Sequence, residues 1–157
     1  MGLLTPLAVR IGAISWMPKA LPLIEKTDRR LQQVSRGRVS ILDIAGLPNM
    51  MLSVPGRKTG VPRTTPLLCV PHHGEWLVAG SYFGDEKMPV WVHNLRASDG
   101  ASIVFEREKI DVKWREVQGP ERETLWEVLV SVWPNFDLYK TRTKRVIPVF
   151  VLSRTTP

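Results

Sequence analysis

The stretch Thr65-Pro66-Leu67-Leu68-Cys69-Val70-Pro71-His72-His73-Gly74-Glu75-Trp76-Leu77-Val78-Ala79-Gly80-Ser81-Tyr82 reads as two strands, Thr65 to Pro71 and Glu75 to Tyr82, folded back on each other around His72-His73-Gly74. A turn this short joins only antiparallel neighbours. The same rhythm recurs outward from this hairpin. Val39 to Ala45 and Met50 to Val54 read as strands before it, and Ala101 to Glu106, Ile110 to Val117 and Arg145 to Leu152 after it. Helices are expected over Asp85 to Ala97 and from Gly119-Pro120 onward, where Leu125, Val128, Leu129 and Val132 recur at i, i+3, i+4 and i+7. The sum is about seven short strands with two inserted helices. Short connections between consecutive strands favour a small, mostly antiparallel barrel, mainly β within the α+β class. A parallel nucleotide-binding sheet is disfavoured: it needs a helix after nearly every strand, and the chain has no G-x-G-x-x-G.

Ahead of the barrel lies a less core-like arm, residues 1–38, so the expected organisation is one domain over 39–157 with an N-terminal helical extension. Residues 3–17 read as an apolar helix with Thr5 as its cap and Pro6 in its first turn. Pro18 and Pro22 interrupt the pattern, and a second helix follows from Leu23 to about Arg36. The chain of 157 residues carries 22 Lys+Arg against 15 Asp+Glu, a net charge of +7. Residues 1–66 hold 10 basic and 3 acidic side chains, and residues 67–157 hold 12 of each. All of the excess therefore lies early in the chain, where an anionic ligand, an anionic membrane or nucleic acid would meet it. The longest uncharged run, Ile44 to Gly56, is too short to span a bilayer and holds two prolines. One cysteine, Cys69, excludes an internal disulfide and a multi-thiolate zinc site, and a cytoplasmic location is the expectation.

Three segments have the composition of a binding site. In Gly56-Arg57-Lys58-Thr59-Gly60-Val61-Pro62-Arg63 three cations sit on a glycine-rich turn, where backbone N–H groups and charge-assisted side chains suit phosphate or carboxylate. The spacing is not that of a P-loop, and a solvated basic hairpin is the plain alternative. In Ala79-Gly80-Ser81-Tyr82-Phe83-Gly84-Asp85-Glu86-Lys87 a strand gives way through small residues to a helix start, a junction able to offer backbone and hydroxyl donors. On the helix expected there, Lys87, Trp91, Asn94 and Ser98 share one face, while Met88, Val92 and Leu95 share an apolar one. In the third segment Trp133, Phe136 and Tyr139 follow one another at three-residue spacing; they either cap the barrel or cover a flat ligand. His72, His73 and His93 lack partners at metal-ligand spacing, and there is no G-x-S-x-G.

In this order, Gly-Arg-Lys-Thr-Gly-x-Pro-Arg (56–63), Val-Ala-Gly-Ser (78–81), Lys-x-Pro-x-Trp-x-x-Asn-Leu (87–95) and, after the aromatic segment, Arg-x-Ile-Pro-Val (145–149), the chain resembles the deazaflavin (F420)-dependent nitroreductase family over about residues 40–152. The resemblance implies a split β-barrel that binds coenzyme F420 and passes on hydride from its reduced form. It implies that Arg57, Lys58, Thr59, Gly60, Val61, Pro62 and Arg63 hold the phosphate or oligoglutamate tail. Ala79, Gly80 and Ser81 would then face the deazaflavin ring, Pro66 would belong to the cofactor site, and Lys87, Trp91 and Asn94 would line the cofactor groove. Leu68, Trp133, Phe136 and Tyr139 fall at the substrate side, with Tyr139 and Ser81 as candidate proton donors. The chain departs from the family where tyrosines give way to Leu68, Trp133 and Phe136, and where a lysine gives way to Tyr82.

The expected activity is hydride transfer from F420H2 to an apolar, flat electrophile: an activated alkene, a quinone or a nitro compound. The cofactor carries the redox chemistry and the protein binds, orients and excludes water. The resemblance also suggests membrane quinones as substrates of some members, and the arm, apolar and basic, suits the inner face of an anionic membrane. Two other readings stand beside this one: an FMN-binding split-barrel oxidoreductase, whose ligand lacks the tail and needs fewer cations, and a non-catalytic basic module for membrane or nucleic acid. Aromatics are not interleaved with the basic turn, which counts against single-strand binding.

Overall fold

The computed structural model describes residues 47–155. The arm over 1–38 and the strand expected over Val39 to Ala45 lie outside the described residues. Along the rest, the elements are β1 (Asn49–Pro55), β2 (Pro62–Leu68), β3 (Val70–His72), β4 (Glu75–Ala79), a 3-10 turn (Tyr82–Gly84), α1 (Val90–Arg96), β5 (Ala101–Phe105), β6 (Glu108–Glu116), α2 (Gly119–Val132), α3 (Asn135–Arg142) and β7 (Val149–Arg154).

The seven strands form one sheet in the order β2-β1-β5-β6-β7-β4-β3, and every pairing is antiparallel. Its two edge strands, β2 and β3, are joined in sequence by Cys69 alone. In a flat sheet six inter-strand spacings would hold those edges about 29 Å apart. One residue bridges them, so the sheet curls into a half-barrel. The Cys69 N–H donates to Pro48 O at 3.1 Å, just beyond the end of the β1–β2 ladder. This break divides the single strand expected over Thr65 to Pro71, because Cys69 leaves the pairing with β1 and Val70 begins the pairing with β4.

Two apolar layers follow from the side-chain alternation. Met50, Leu52 and Val54 of β1, Trp76 and Val78 of β4, Ile110 and Val112 of β6, and Phe150 and Leu152 of β7 fill the barrel, which Trp91, Val92 and Leu95 of α1 help to close. On the opposite face, Leu77, Val149 and Val151 pack under α2 and α3 through Leu125, Trp126, Leu129, Phe136 and Tyr139. β4 and β7 are thus covered on both sides, which explains their unbroken apolar runs Trp76-Leu77-Val78 and Val149-Phe150-Val151-Leu152. Trp126 Nε1 donates to Asp137 Oδ1 at 2.7 Å and locks α2 to α3.

Two helical expectations change. α1 starts at Val90, not Asp85. A residue before proline avoids the α conformation, and Pro89 stands directly before the helix. Ahead of it Asp85 Oδ1 accepts the Lys87 N–H at 2.7 Å in a local turn. The second change is α3, a third helix within the aromatic and basic segment after Trp133. The closing strand begins at Val149 rather than Arg145, leaving residues 145–148 as an irregular connection.

Candidate functional site

Arg57, Lys58, Thr59, Gly60 and Val61 form the turn between β1 and β2, and Pro62 and Arg63 open β2; all seven are exposed. The turn is tightly built. The Gly56 N–H donates to Val61 O at 2.9 Å, Gly60 N–H to Gly56 O at 2.7 Å, and Val61 N–H to Thr59 Oγ1 at 3.2 Å. Asn94, only 4% exposed, accepts at Oδ1 both the Arg57 N–H at 3.1 Å and the Arg57 Nη1–H at 3.2 Å. A buried amide on α1 therefore fixes the backbone and the guanidinium of the first cation. Arg57, Lys58 and Arg63 have no carboxylate partner among the described residues, whereas Arg96, Arg115 and Arg154 are paired with Glu116, Glu121 and Glu108. Three unmatched charges on an organised turn suit an anionic ligand.

The junction after β4 is held from behind. The Gly80 N–H donates to Pro148 O at 2.9 Å. A Cβ at Gly80 would lie 2.8 Å from both Pro148 Cγ and Val92 Cγ2, so no side chain fits between strand, connection and helix. Gly84, at φ +81°, presses on α3: a Cβ there would lie 2.8 Å from Tyr139 O and from Arg142 Cβ. The Arg145 guanidinium spans the loop. Its Nη1 donates to Gly80 O at 2.9 Å, Nη2 to Ser81 O at 3.1 Å and Nε to Asp85 O at 3.0 Å. Burial lowers the pKa of Arg145 from its ordinary value, while Asp85 and Glu86 act the other way. Ser81 O also accepts the Gly84 N–H at 2.8 Å. The Ser81 N–H and Oγ have no partner among the described residues, and Ser81 is half-buried. The loop thus spends its carbonyls inward and keeps two donors.

α1 connects these two places, since Val92 bounds Gly80 and Asn94 holds Arg57. The remaining expected groove residues sit elsewhere. Trp91 is buried in the barrel, 5.8 Å from the Phe150 ring, and Lys87 is exposed outside the helix. The face expected to run from Lys87 through Ser98 is not formed, because Pro89 delays the helix. Pro66 is half-buried on β2 opposite Met51, and Ala79 ends β4.

The expected substrate-side residues do come together, but as packing. Trp133, Phe136 and Tyr139 belong to the apolar layer outside the sheet, and Leu68 packs at its edge. Phe136 and Tyr139 meet edge to face at 6.2 Å. Tyr139 is 2% exposed, its hydroxyl accepts from Trp133 Nε1 at 3.2 Å, and burial pushes the phenol up to about 12 against the opposing effects of Trp133, Asn135 and Arg142. Cys69 is likewise buried, and desolvation pushes its thiol up to about 12, with a smaller contribution from Glu106. Arg145 and its three carbonyls were not assigned from sequence; the Arg-x-Ile-Pro-Val motif marks the place without disclosing the contacts.

A curled antiparallel half-barrel with a basic turn and a donor-bearing loop joined by one helix defines a protein of the split-barrel class. The profile of the F420H(2)-dependent quinone reductase family matches residues 25–154, and the chain belongs to that family. A protein named F420H(2)-dependent quinone reductase from Mycobacterium tuberculosis is 32% identical over 123 residues, covering 76% of this chain and 83% of the relative. Among solved structures, an F420-H2 dependent reductase, FDR-A, is 34% identical with a TM-score of 0.63, covering 68% of this chain and 94% of the other. A second, described as a domain-swapped dimer, is 32% identical with a TM-score of 0.65, covering 82% and 95%. The chain is accordingly an F420H2-dependent oxidoreductase whose hydride donor is reduced F420. Of the readings left open by the sequence, F420 stands over FMN, and an enzyme over a non-catalytic basic module.

Proposed function

We propose that the chain reduces a quinone, with the anionic end of F420 on the turn at 56–63 and the deazaflavin against Ala79-Gly80-Ser81. The observation that carries this reading is the pairing of two unmet needs. Among the described residues three cations lack carboxylates and two donors at Ser81 lack acceptors, on segments held by the same helix. F420, with a phosphate, a carboxylate tail and a polar ring edge, satisfies both.

When bound, reduced F420 supplies the hydride. Arg57, Lys58 and Arg63 bind its anionic end, with Asn94 keeping Arg57 in place. The Ser81 N–H and Oγ orient the ring edge. Two electrons reach the quinone with the hydride, and a proton from solvent completes the hydroquinone. Tyr139 is a poor donor: its phenol is buried, its hydroxyl is engaged by Trp133, and it holds its proton up to about pH 12. Trp133, Phe136 and Tyr139 support the loop through the α3 backbone against which Gly84 packs. The arm over 1–38, with 7 Lys+Arg and 2 Asp+Glu beside an apolar stretch, brings the enzyme to an anionic membrane surface where apolar quinones reside. The test is turnover: F420H2 oxidation followed by the return of F420 absorbance with a menaquinone analogue. Rates no faster than buffer, with nitro and enone substrates reduced instead, would overturn the quinone assignment.

A further inference from the structure

We propose that Arg145 is a positioning residue of the reductase, fixing the Gly80-Ser81 loop through three backbone carbonyls so that the Ser81 N–H and Oγ remain available to the cofactor; this rests on the F420 reading above.

The loop is irregular. Tyr82 has φ +45° and Gly84 +81°, and the carbonyls of residues 80, 81 and 85 lie off the strand and helix ladders, apart from the bond that Ser81 O accepts from the Gly84 N–H in the 3-10 turn. Backbone carbonyls removed from water need donors. Arg145 provides them from one planar fork, with Nη1, Nη2 and Nε each directed at a different carbonyl. No carboxylate pairs with it among the described residues; Asp85 contributes its main-chain oxygen to the fork. A half-buried guanidinium that donates to three carbonyls and to the Met88 sulfur is not explained by surface charge pairing. Its neighbours fasten the same loop: Pro148 O takes the Gly80 N–H, and the Lys144 N–H donates to Glu86 Oε1 at 2.9 Å. The connection between α3 and β7 thus holds the segment 80–86 along its length. With Ser81 O taken by Arg145 and Gly84, the remaining polar groups of Ser81 are the two donors the cofactor uses.

Lysine cannot reproduce this fork, being a point charge with no planar arrangement of donors. Arg145→Lys therefore keeps the charge and loses the geometry. The experiment is an F420 titration by fluorescence of wild type, Arg145→Lys, Ser81→Ala and the double variant, at several salt concentrations, with melting temperatures recorded. Each single variant should weaken F420 roughly tenfold, the scale of one charge-assisted hydrogen bond. The double variant should bind more weakly than either single variant but by less than the product of the two losses, because Arg145 acts partly through Ser81 Oγ and partly through the Ser81 N–H, which alanine retains. The slope of log Kd against log salt should stay at the wild-type value, since the basic turn is untouched. Wild-type F420 affinity in a folded Arg145→Lys protein would overturn the proposal. So would strictly additive losses in the double variant, or losses that vanish once only the folded fraction is counted. If Arg145→Lys does not fold, Arg145→Gln, which retains amide donors without charge, enters the same cycle under the same criteria. Failure of the wild type itself to bind F420 would instead remove the cofactor reading.

Discussion

Asn94→Ala isolates the contact that organises the basic turn. Asn94 Oδ1 accepts two hydrogen bonds from Arg57, one from the neutral main-chain N–H and one from the guanidinium. A neutral bond contributes about 0.5–1.5 kcal/mol and one to a charged group about 1.5–3 kcal/mol. Arg57 is exposed, so water replaces part of what Asn94 provides, and the low end of each range applies. Their sum, about 2 kcal/mol, corresponds to roughly a 30-fold weaker Kd for F420 if the lost order falls on cofactor binding. The assay is a fluorescence titration beside a thermal melt. Asn94→Asp supplies the contrasting case: it keeps the accepting oxygen but places a negative charge beside Arg57. Its F420 affinity should also fall, and that loss should diminish with salt as the added charge is screened. Asn94→Ala should not show that salt recovery. Unchanged Kd in a well-folded Asn94→Ala protein would refute the reasoning, because the turn would then need no support from α1.

Alkaline stability should report the two buried acids. Cys69 and Tyr139 each titrate near 12 in the folded protein, above their ordinary values of 9.0 and 10.0. Raised folded values mean that stability is full below pH 9 and is lost as pH rises from there toward 12, at up to about 1.4 kcal/mol per pH unit and group. Urea melts across that window should show the decline, and Cys69→Ala and Tyr139→Phe should each flatten it; Tyr139→Phe should leave kcat within about twofold, since removing a general acid would cost about 10²–10⁴-fold. Gly80→Ala, forced against Pro148 and Val92, should cost about 1–3 kcal/mol by denaturant melt and weaken F420 as the loop shifts. Deleting residues 1–20 should reduce sedimentation with anionic liposomes while sparing F420 affinity; an intact protein that ignores such liposomes would end the membrane assignment.

The antiparallel half-barrel was legible because its hairpins are short and its apolar runs strong. Its closure was not, since Cys69 looks like any strand residue and only the pairing of its neighbours reveals the seam. The hairpin at Phe105 to Glu108 turns on Glu106 and Arg107, both at positive φ, although such turns favour Asn and Gly. The sequence therefore marks that bend weakly. Pro89 did carry a readable signal for the delayed start of α1. The basic turn stood out by composition, and its lack of carboxylate partners among the described residues adds what composition cannot. Arg145 was hidden for a different reason: its partners are main-chain oxygens some sixty residues away, which no side-chain pattern records. The aromatic triplet left two roles open, capping or ligand cover, and its burial in the outer layer favours the first.

The most direct test of the site assignment is an F420 titration of the Arg57→Ala/Lys58→Ala protein. Each cation lost should weaken binding roughly 10–100-fold at low salt, the worth of a charge-assisted hydrogen bond. The double variant should therefore bind at least about 100-fold more weakly, with the deficit narrowing as salt rises and kcat at saturating F420H2 close to wild type. Wild-type affinity in that variant would contradict the account and place the cofactor elsewhere on the barrel.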